Sequence, residues 1–308
     1  MMSKKATLGV LFTFLIIISM VSCELVTSPL REQKSVKGLF IALDYKSMPS
    51  HLHLEGTIRD AKEFDQALKK LSDLFHQKYD STLLLQEGSN QSLNDFLPKK
   101  EHILTTIESE IESLTESELL VIYYAGHGED PNIGNNYQGG ALVVADEDDP
   151  SKYDLLTQKE LLEVLYTIEK GHILLILDSC FSGSYVQDYP FGVFDFPYHP
   201  KITTLSASRT DEPSYENSDS THGLFTYYLL EALGWDHTQG EELFGGEILT
   251  QTQGAIRSKK AIPTYQGGVV TLDRIYSYVT TKLASSYLNQ HPVVVSGPQS
   301  ILLYSDWR

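Results

Sequence analysis

Three short runs of nearly unbroken apolar residues constrain this chain most: 39–45 (LFIALDY), 119–124 (LLVIYY) and 172–177 (HILLIL). A strand with one wet face alternates apolar and polar residues, so runs without alternation predict strands buried on both faces. Between them the periodicity changes to three and four. Ala61, Phe64, Leu68, Leu71 and Phe75 predict one helix, and Ile103, Ile107, Ile111 and Leu114 a second. Thr157-Gln158-Lys159-Glu160 reads as a capping box that opens a third, burying Leu161, Leu165 and Ile168. Further strands are expected at 82–86, 141–145 and 202–206, and a helix at 224–233, closed by Gly234. A last helix is expected near 272–288, after a polar surface excursion rich in Gly and Gln from about 238 to 268. Strands alternating with helices require a mostly parallel central sheet with helices on both faces, an α/β fold. The folded domain is expected at 37–308.

The N-terminus has a different character. Met1-Met2-Ser3-Lys4-Lys5 precedes an apolar run from Leu8 to Met20 and then Val21-Ser22-Cys23, the three-part layout of an export signal. The run is shorter than the roughly 20 residues a bilayer span needs. Met20 to Cys23 resembles a bacterial lipobox, which implies a signal peptide at 1–22, lipidation of Cys23, a polar tether at 23–36, and export to the bacterial cell envelope with anchoring there by lipid. The formal charge of −17 repels phosphate backbones, so no nucleic-acid partner is expected, and membrane contact should come from the lipid. Only two cysteines are present, too few for a disulfide framework. A Cys23–Cys180 bridge is formally open, but Cys23 lies in the tether and Cys180 in a motif that uses a free thiol.

In open parallel sheets, chemistry gathers beyond the carboxyl ends of the strands. Gly126-His127-Gly128 follows the strand ending at Tyr124, and Asp178-Ser179-Cys180 follows the strand ending at Leu177. A strand-end cysteine can attack a carbonyl once a base takes its proton, and histidine is suited to accept that proton and pass it to a leaving amine. Cys180 and His127 are therefore the candidate catalytic pair. Gly126 and Gly128 are expected to permit positive φ and close substrate approach, and the amides of Gly128 and Cys180 to form an oxyanion hole. The alternative is a turn histidine beside an inert buried thiol.

Tyr123-Tyr124-Ala125-Gly126-His127-Gly128 and Leu177-Asp178-Ser179-Cys180-Phe181-Ser182-Gly183-Ser184 resemble the histidine and cysteine motifs of the caspase and metacaspase group. Gly56-Thr57-Ile58-Arg59-Asp60-Ala61, Ser206-Ala207-Ser208, Gly223-Leu224-Phe225-Thr226 and Asn289-Gln290-His291-Pro292 extend the resemblance, in order, to the C-terminus. It implies a caspase-like three-layer sandwich and a cysteine endopeptidase acting on peptides or proteins through a Cys-His dyad. It also implies a substrate pocket holding Asp178, Asp60 and Ser206, whose two carboxylates favour cleavage after Arg or Lys. Specificity for Asp or Asn, transpeptidation, or an idle or latent scaffold that binds peptides or proteins at the cell surface are the alternatives. Ala125 and Thr57 depart from residues common in the group. No cofactor is required, although many metacaspases use calcium; Asp146, Asp148 and Asp149 are the oxygen-rich candidates, in a charge run that also suits a solvated turn. If the chain is processed, the loop 185–201 is the expected place, with Lys201 its basic residue.

Overall fold

The computed structural model describes residues 34–88, 97–130, 140–149, 151–185, 199–217, 221–237, 256–286, 289–295 and 301–306. The leader, Cys23 and most of the tether lie outside them. Strand β1 (Ser35–Leu43) pairs in parallel with β2 (Lys78–Gln86) on one side and β3 (Glu118–Ala125) on the other. Next to β3 comes β7 (His172–Asp178), then β8 (Ile202–Ser206), both parallel, and β10 (Val293–Val295) closes the edge antiparallel to β8. The order is β10-β8-β7-β3-β1-β2. The chain leaves β1 toward β2 and returns on the other side, so its direction switches between β1 and β3, the place where such sheets hold ligands.

Residues of β3 alternate between two cores, as the two-residue period of a strand dictates. Leu119, Val121, Tyr123 and Ala125 join α1 (Thr57–Phe75), α4 (Leu224–Ala232) and α5 (Leu272–Ala284), whereas Leu120, Ile122 and Tyr124 join α2 (Lys100–Glu112), α3 (Gln158–Leu165) and β5 (Ala141–Ala145). Helices therefore cover both faces, as expected from the unbroken apolar runs. From α1, Phe64, Leu68, Leu71 and Phe75 all point into the first core, each contributing about 1.5–3 kcal/mol of burial.

The capping box is present: Thr157 Oγ1 accepts from the Glu160 amide at 3.3 Å, and Glu160 Oε2 accepts from the Thr157 amide at 2.9 Å. Gly234, at φ +83°, ends α4 in the left-handed conformation that suits glycine. Several boundaries differ from expectation. β1 starts at Ser35, inside the expected tether, and β2 at Lys78, because an edge strand pairs through polar residues that leave no apolar signal. α3 stops at Leu165, so Ile168 is buried from the turn beyond it. α5 ends at Ala284, before the expected Leu288.

Five short strands were not anticipated: β4 (Gly128–Glu129) and β6 (Tyr153–Thr157), which flank β5 in a small antiparallel sheet, the pair β9 (Val269–Thr271) and β11 (Leu302–Ser305), and β10. The expected excursion lies outside the described residues up to 255. Its remainder is not a surface loop throughout, since Ile256, Ile262 and Thr264 are buried and the Thr264 hydroxyl donates to the Ala232 carbonyl at 2.7 Å. Among the described residues, no helix is long and apolar enough to cross a membrane.

Candidate active site

β3 and β7 are neighbours in register, with Ala125 opposite Asp178. Their following loops thus leave the sheet at one level from strands about 4.8 Å apart. The Gly126 amide donates to the Asp178 carbonyl at 3.3 Å and carries the pairing one step further. His127 comes next and is held on several sides. Its amide donates to the Tyr45 hydroxyl at 2.9 Å, its carbonyl accepts from the Tyr124 hydroxyl at 2.8 Å and the Val143 amide at 3.0 Å, and its ring lies 4.6 Å from that of Tyr45. Its Nε2 lies 2.8 Å from the carbonyl of Leu52, in the short turn after β1. A carbonyl only accepts, so Nε2 carries the proton and the neutral ring presents Nδ1 as its lone pair. Neither Tyr45 nor Leu52 was found from sequence; a backbone carbonyl leaves no residue signature.

Cys180, half-buried, opens a tight turn, and Phe181 takes φ +57°, a conformation rare outside glycine. The Ser214 amide donates to Cys180 Sγ at 3.4 Å. Burial raises the pKa of the thiol, the charge of Asp178 adds to this, and the Ser214 amide opposes it. The resting sulfur is therefore a thiol that needs a base. Gly126 and Gly128 do not have positive φ, contrary to expectation. Space demands them instead: a Cβ would lie 2.5 Å from the Tyr45 hydroxyl at Gly126 and 2.2 Å from the Cys180 carbonyl oxygen at Gly128. The Gly128 backbone thus rests against that of Cys180. Gly128 faces Leu142 across β4 and β5, while Val143 donates to the His127 carbonyl. In this pattern the pair is the non-hydrogen-bonded kind, so the Gly128 N–H points away from β5.

The two carboxylates meet at the start of α4. Asp60, buried in the first turn of α1, lies 2.7 Å from His222 Nδ1 and accepts from the Gly223 amide at 2.7 Å. Asp178 accepts from the Ser214 hydroxyl at 2.9 Å and the Thr226 hydroxyl at 2.6 Å. Gly223 sits between them: a Cβ there would lie 2.4 Å from Asp178 Oδ2 and 3.2 Å from Asp60 Oδ2. Burial raises both pKa values, and for Asp60 the charge of Asp178 adds to it.

Gln290, from the expected closing motif, donates to the Ser214 hydroxyl at 3.0 Å and to the Ala207 carbonyl at 3.2 Å. Ser206 is placed differently, its hydroxyl shared between the carbonyls of Ser208 and Val293 at the β8–β10 edge. In the acidic loop, Asp146 accepts from the amides of Asp148 and Asp149, and Asp149 pairs with Lys152 at 3.0 Å. Two of its carboxylates already serve as turn caps there.

The sequence profile of the metacaspase, peptidase C14 domain matches residues 36–189, half of the chain, including both strand ends. The chain belongs to the metacaspase family. Membership brings the caspase-type cysteine-peptidase fold, and the matched span contains Asp60, His127, Asp178 and Cys180. A crystal structure of a Geobacter sulfurreducens protein is similar in fold, with a TM-score of 0.52 at 15% identity, over 86% of this chain and 94% of that one. Caspase-1 from Spodoptera frugiperda aligns over 91% of this chain and 93% of its own, with a TM-score of 0.49 at 13% identity. No curated protein sequence matches the chain. Ser214, His222 and Thr226, which hold the two aspartates, and Gln290, which bonds to Ser214, all lie beyond the matched span.

Proposed function

We propose that this metacaspase-family protein is a cysteine endopeptidase that uses Cys180 and His127 and cleaves after Arg or Lys. The observation that carries the reading is the pairing of β3 with β7, from whose ends both residues issue, with His127 oriented by the Leu52 carbonyl. In the proposed reaction His127 Nδ1 takes the thiol proton as Sγ bonds to the scissile carbonyl carbon. The amides of Gly128 and Cys180 receive the oxyanion. As the carbon–nitrogen bond breaks, His127 returns the proton to the departing amine; it then activates the water that hydrolyses the thioester and frees the thiol.

The preference rests on Asp60 and Asp178. Each is buried and partnered by neutral or imidazole donors, so an arriving guanidinium or ammonium supplies the charge that burial leaves uncompensated. The leader and Cys23 support export and lipid anchoring at the bacterial envelope; metabolic labelling with palmitate, lost in Cys23→Ala, tests this.

The deciding experiment is fluorophore release from short peptides ending in Arg, Lys, Asp or Asn, with and without calcium, beside Cys180→Ala. Turnover of the Arg and Lys peptides that vanishes in the variant is expected. Cleavage after Asp or Asn instead would leave the dyad and remove the basic pocket. No turnover of any peptide would favour a latent or peptide-binding scaffold.

A further inference from the structure

Behind the aspartate pair, three metal-ligating side chains converge that the proposed reaction does not use. Glu63 of α1, His222 just before α4 and His237 just after it place one ligand atom each within 4.8 Å of one another. His222 Nε2 lies 3.8 Å and His237 Nδ1 3.7 Å from the same oxygen, Glu63 Oε2. These separations exceed a hydrogen bond, and the buried His237 Nδ1 has no hydrogen-bond partner, only the longer ionic contact with Glu63. An orphaned buried nitrogen facing a carboxylate is costly unless something else occupies the space between them.

The groups behind these ligands set their orientation. His222 Nδ1 lies 2.7 Å from Asp60 Oδ1, which directs Nε2 toward Glu63. His237 Nε2 lies 3.2 Å from the Tyr227 carbonyl, which fixes Nδ1 as the lone-pair nitrogen, and its ring stacks on Tyr227 at 4.1 Å. Glu63 is steadied by Arg59 at 2.9 Å on Oε1 and by the Trp235 indole N–H at 2.8 Å on Oε2, which keeps a second lone pair. A carboxylate or carbonyl holding the far nitrogen of each histidine is the outer shell of a metal ligand set.

We propose that Glu63, His222 and His237 form a binding site for a divalent transition metal of the zinc type. Two imidazoles and one carboxylate suit that class, and a hard cation would want oxygens throughout. Tetrahedral ligands about 2.0–2.1 Å from zinc stand about 3.4 Å apart, so the two distances to Glu63 need only a few tenths of an ångström of closure, while the two imidazole nitrogens, within 4.8 Å, would draw together by a small rotation of the rim histidine. Side-chain exposures of 3% for Glu63 and 4% for His222 keep water from most of the site, while His237, at 12%, is its rim. On that side lies a surface cleft bordered by His237, Asp236 and Glu231, whose carboxylates line the approach. The ion joins α1 to both ends of α4, and its ligand His222 shares Asp60 with the aspartate pair.

The test is calorimetric titration of the full chain carrying Cys180→Ala, freed of metal by a chelator, with zinc chloride. Removing the thiol keeps the dyad from binding the ion, and the readout does not depend on turnover, so failure here is separable from failure of the peptidase reading. One equivalent is expected, with a rise in Tm, and cobalt(II) in its place should give the visible bands of a four- or five-coordinate centre. His237→Ala and Glu63→Gln should each weaken binding by at least about 100-fold. His237 lies at the rim, so its variant should fold without metal, as checked by circular dichroism. The absence of saturable binding by Cys180→Ala, or equal binding by both ligand variants, would overturn the site.

Discussion

Two histidines of this protein are oriented at nearly the same distance by different partners. His127 meets the carbonyl of Leu52 at 2.8 Å; His222 meets the carboxylate of Asp60 at 2.7 Å. A carbonyl fixes a tautomer with a dipole and brings no charge. A carboxylate fixes it equally well and, when ionised, adds a negative charge, beside that of Glu63 3.8 Å from the second nitrogen. The first setting suits a ring that must take a proton and give it back within one turnover. The second suits a ring that holds a cation, whether a proton or a metal, and stays in place. The fold builds the first setting at the end of β3 and the second at the start of α4.

The largest effect should separate the two. His127→Ala is expected to lower kcat/KM for an Arg peptide by about 10³-fold, within the range for a lost acid–base group. His222→Gln should cost about tenfold or less and act mainly on KM, through Asp60. Equal losses in kcat would break the comparison. Next is Asp178→Asn, which keeps the shape but removes a buried charge; the ratio of Arg to Asn cleavage should fall by about 10²-fold, the worth of a charge-assisted pair. An unchanged ratio, measured on matched peptides, would remove Asp178 from specificity.

Much of this was legible in the sequence, and what was hidden had physical reasons. The doubly buried strands show themselves as apolar runs, so the sheet, its helices and the two strand ends follow from residues 39–45, 119–124 and 172–177. Edge pieces such as β10 and β11, of three and four residues, are too short to carry a period. Cys180, His127 and the two aspartates stand in motifs. The atoms that orient them do not: Leu52 acts through its carbonyl and Ser214 through its amide as well as its hydroxyl. Glu63, His222 and His237 are scattered in sequence and meet only because α1 packs beside α4.

A sulfur whose pKa is raised by burial should rest as the thiol, and pH can test that. Burial raises the pKa of Cys180, above a value ordinarily near 8.5. Alkylation by iodoacetamide requires thiolate, so its rate should climb about tenfold per pH unit between roughly 6 and 8 and level off only above the ordinary thiol range. The sign follows from the shift: a raised pKa leaves less thiolate at every pH below it. A rate that is flat from pH 6 to 8 would instead reveal a preformed thiolate–imidazolium pair, the state expected had His127 been given a carboxylate like that of His222.

The smallest effect concerns the support beneath His127. The Tyr45 hydroxyl is fully buried, accepts from the His127 amide at 2.9 Å and donates to the Val143 carbonyl at 2.9 Å. In Tyr45→Phe the Val143 carbonyl still lies 2.8 Å from the Tyr124 hydroxyl, whose one proton it shares with the His127 carbonyl, but the His127 amide loses its acceptor. One orphaned buried N–H costs about 1–3 kcal/mol, visible as a shift in the urea midpoint with an unchanged slope. Because burial raises the Tyr45 pKa far above assay conditions, the phenol stays protonated and the loss should not vary between pH 6 and 9. His127 keeps Leu52 on its ring, so kcat should drop only a few-fold while KM for the Arg peptide stays put. A drop as deep as that of His127→Ala would mean that the ring is positioned through its backbone and Tyr45, and that the Leu52 carbonyl is a bystander.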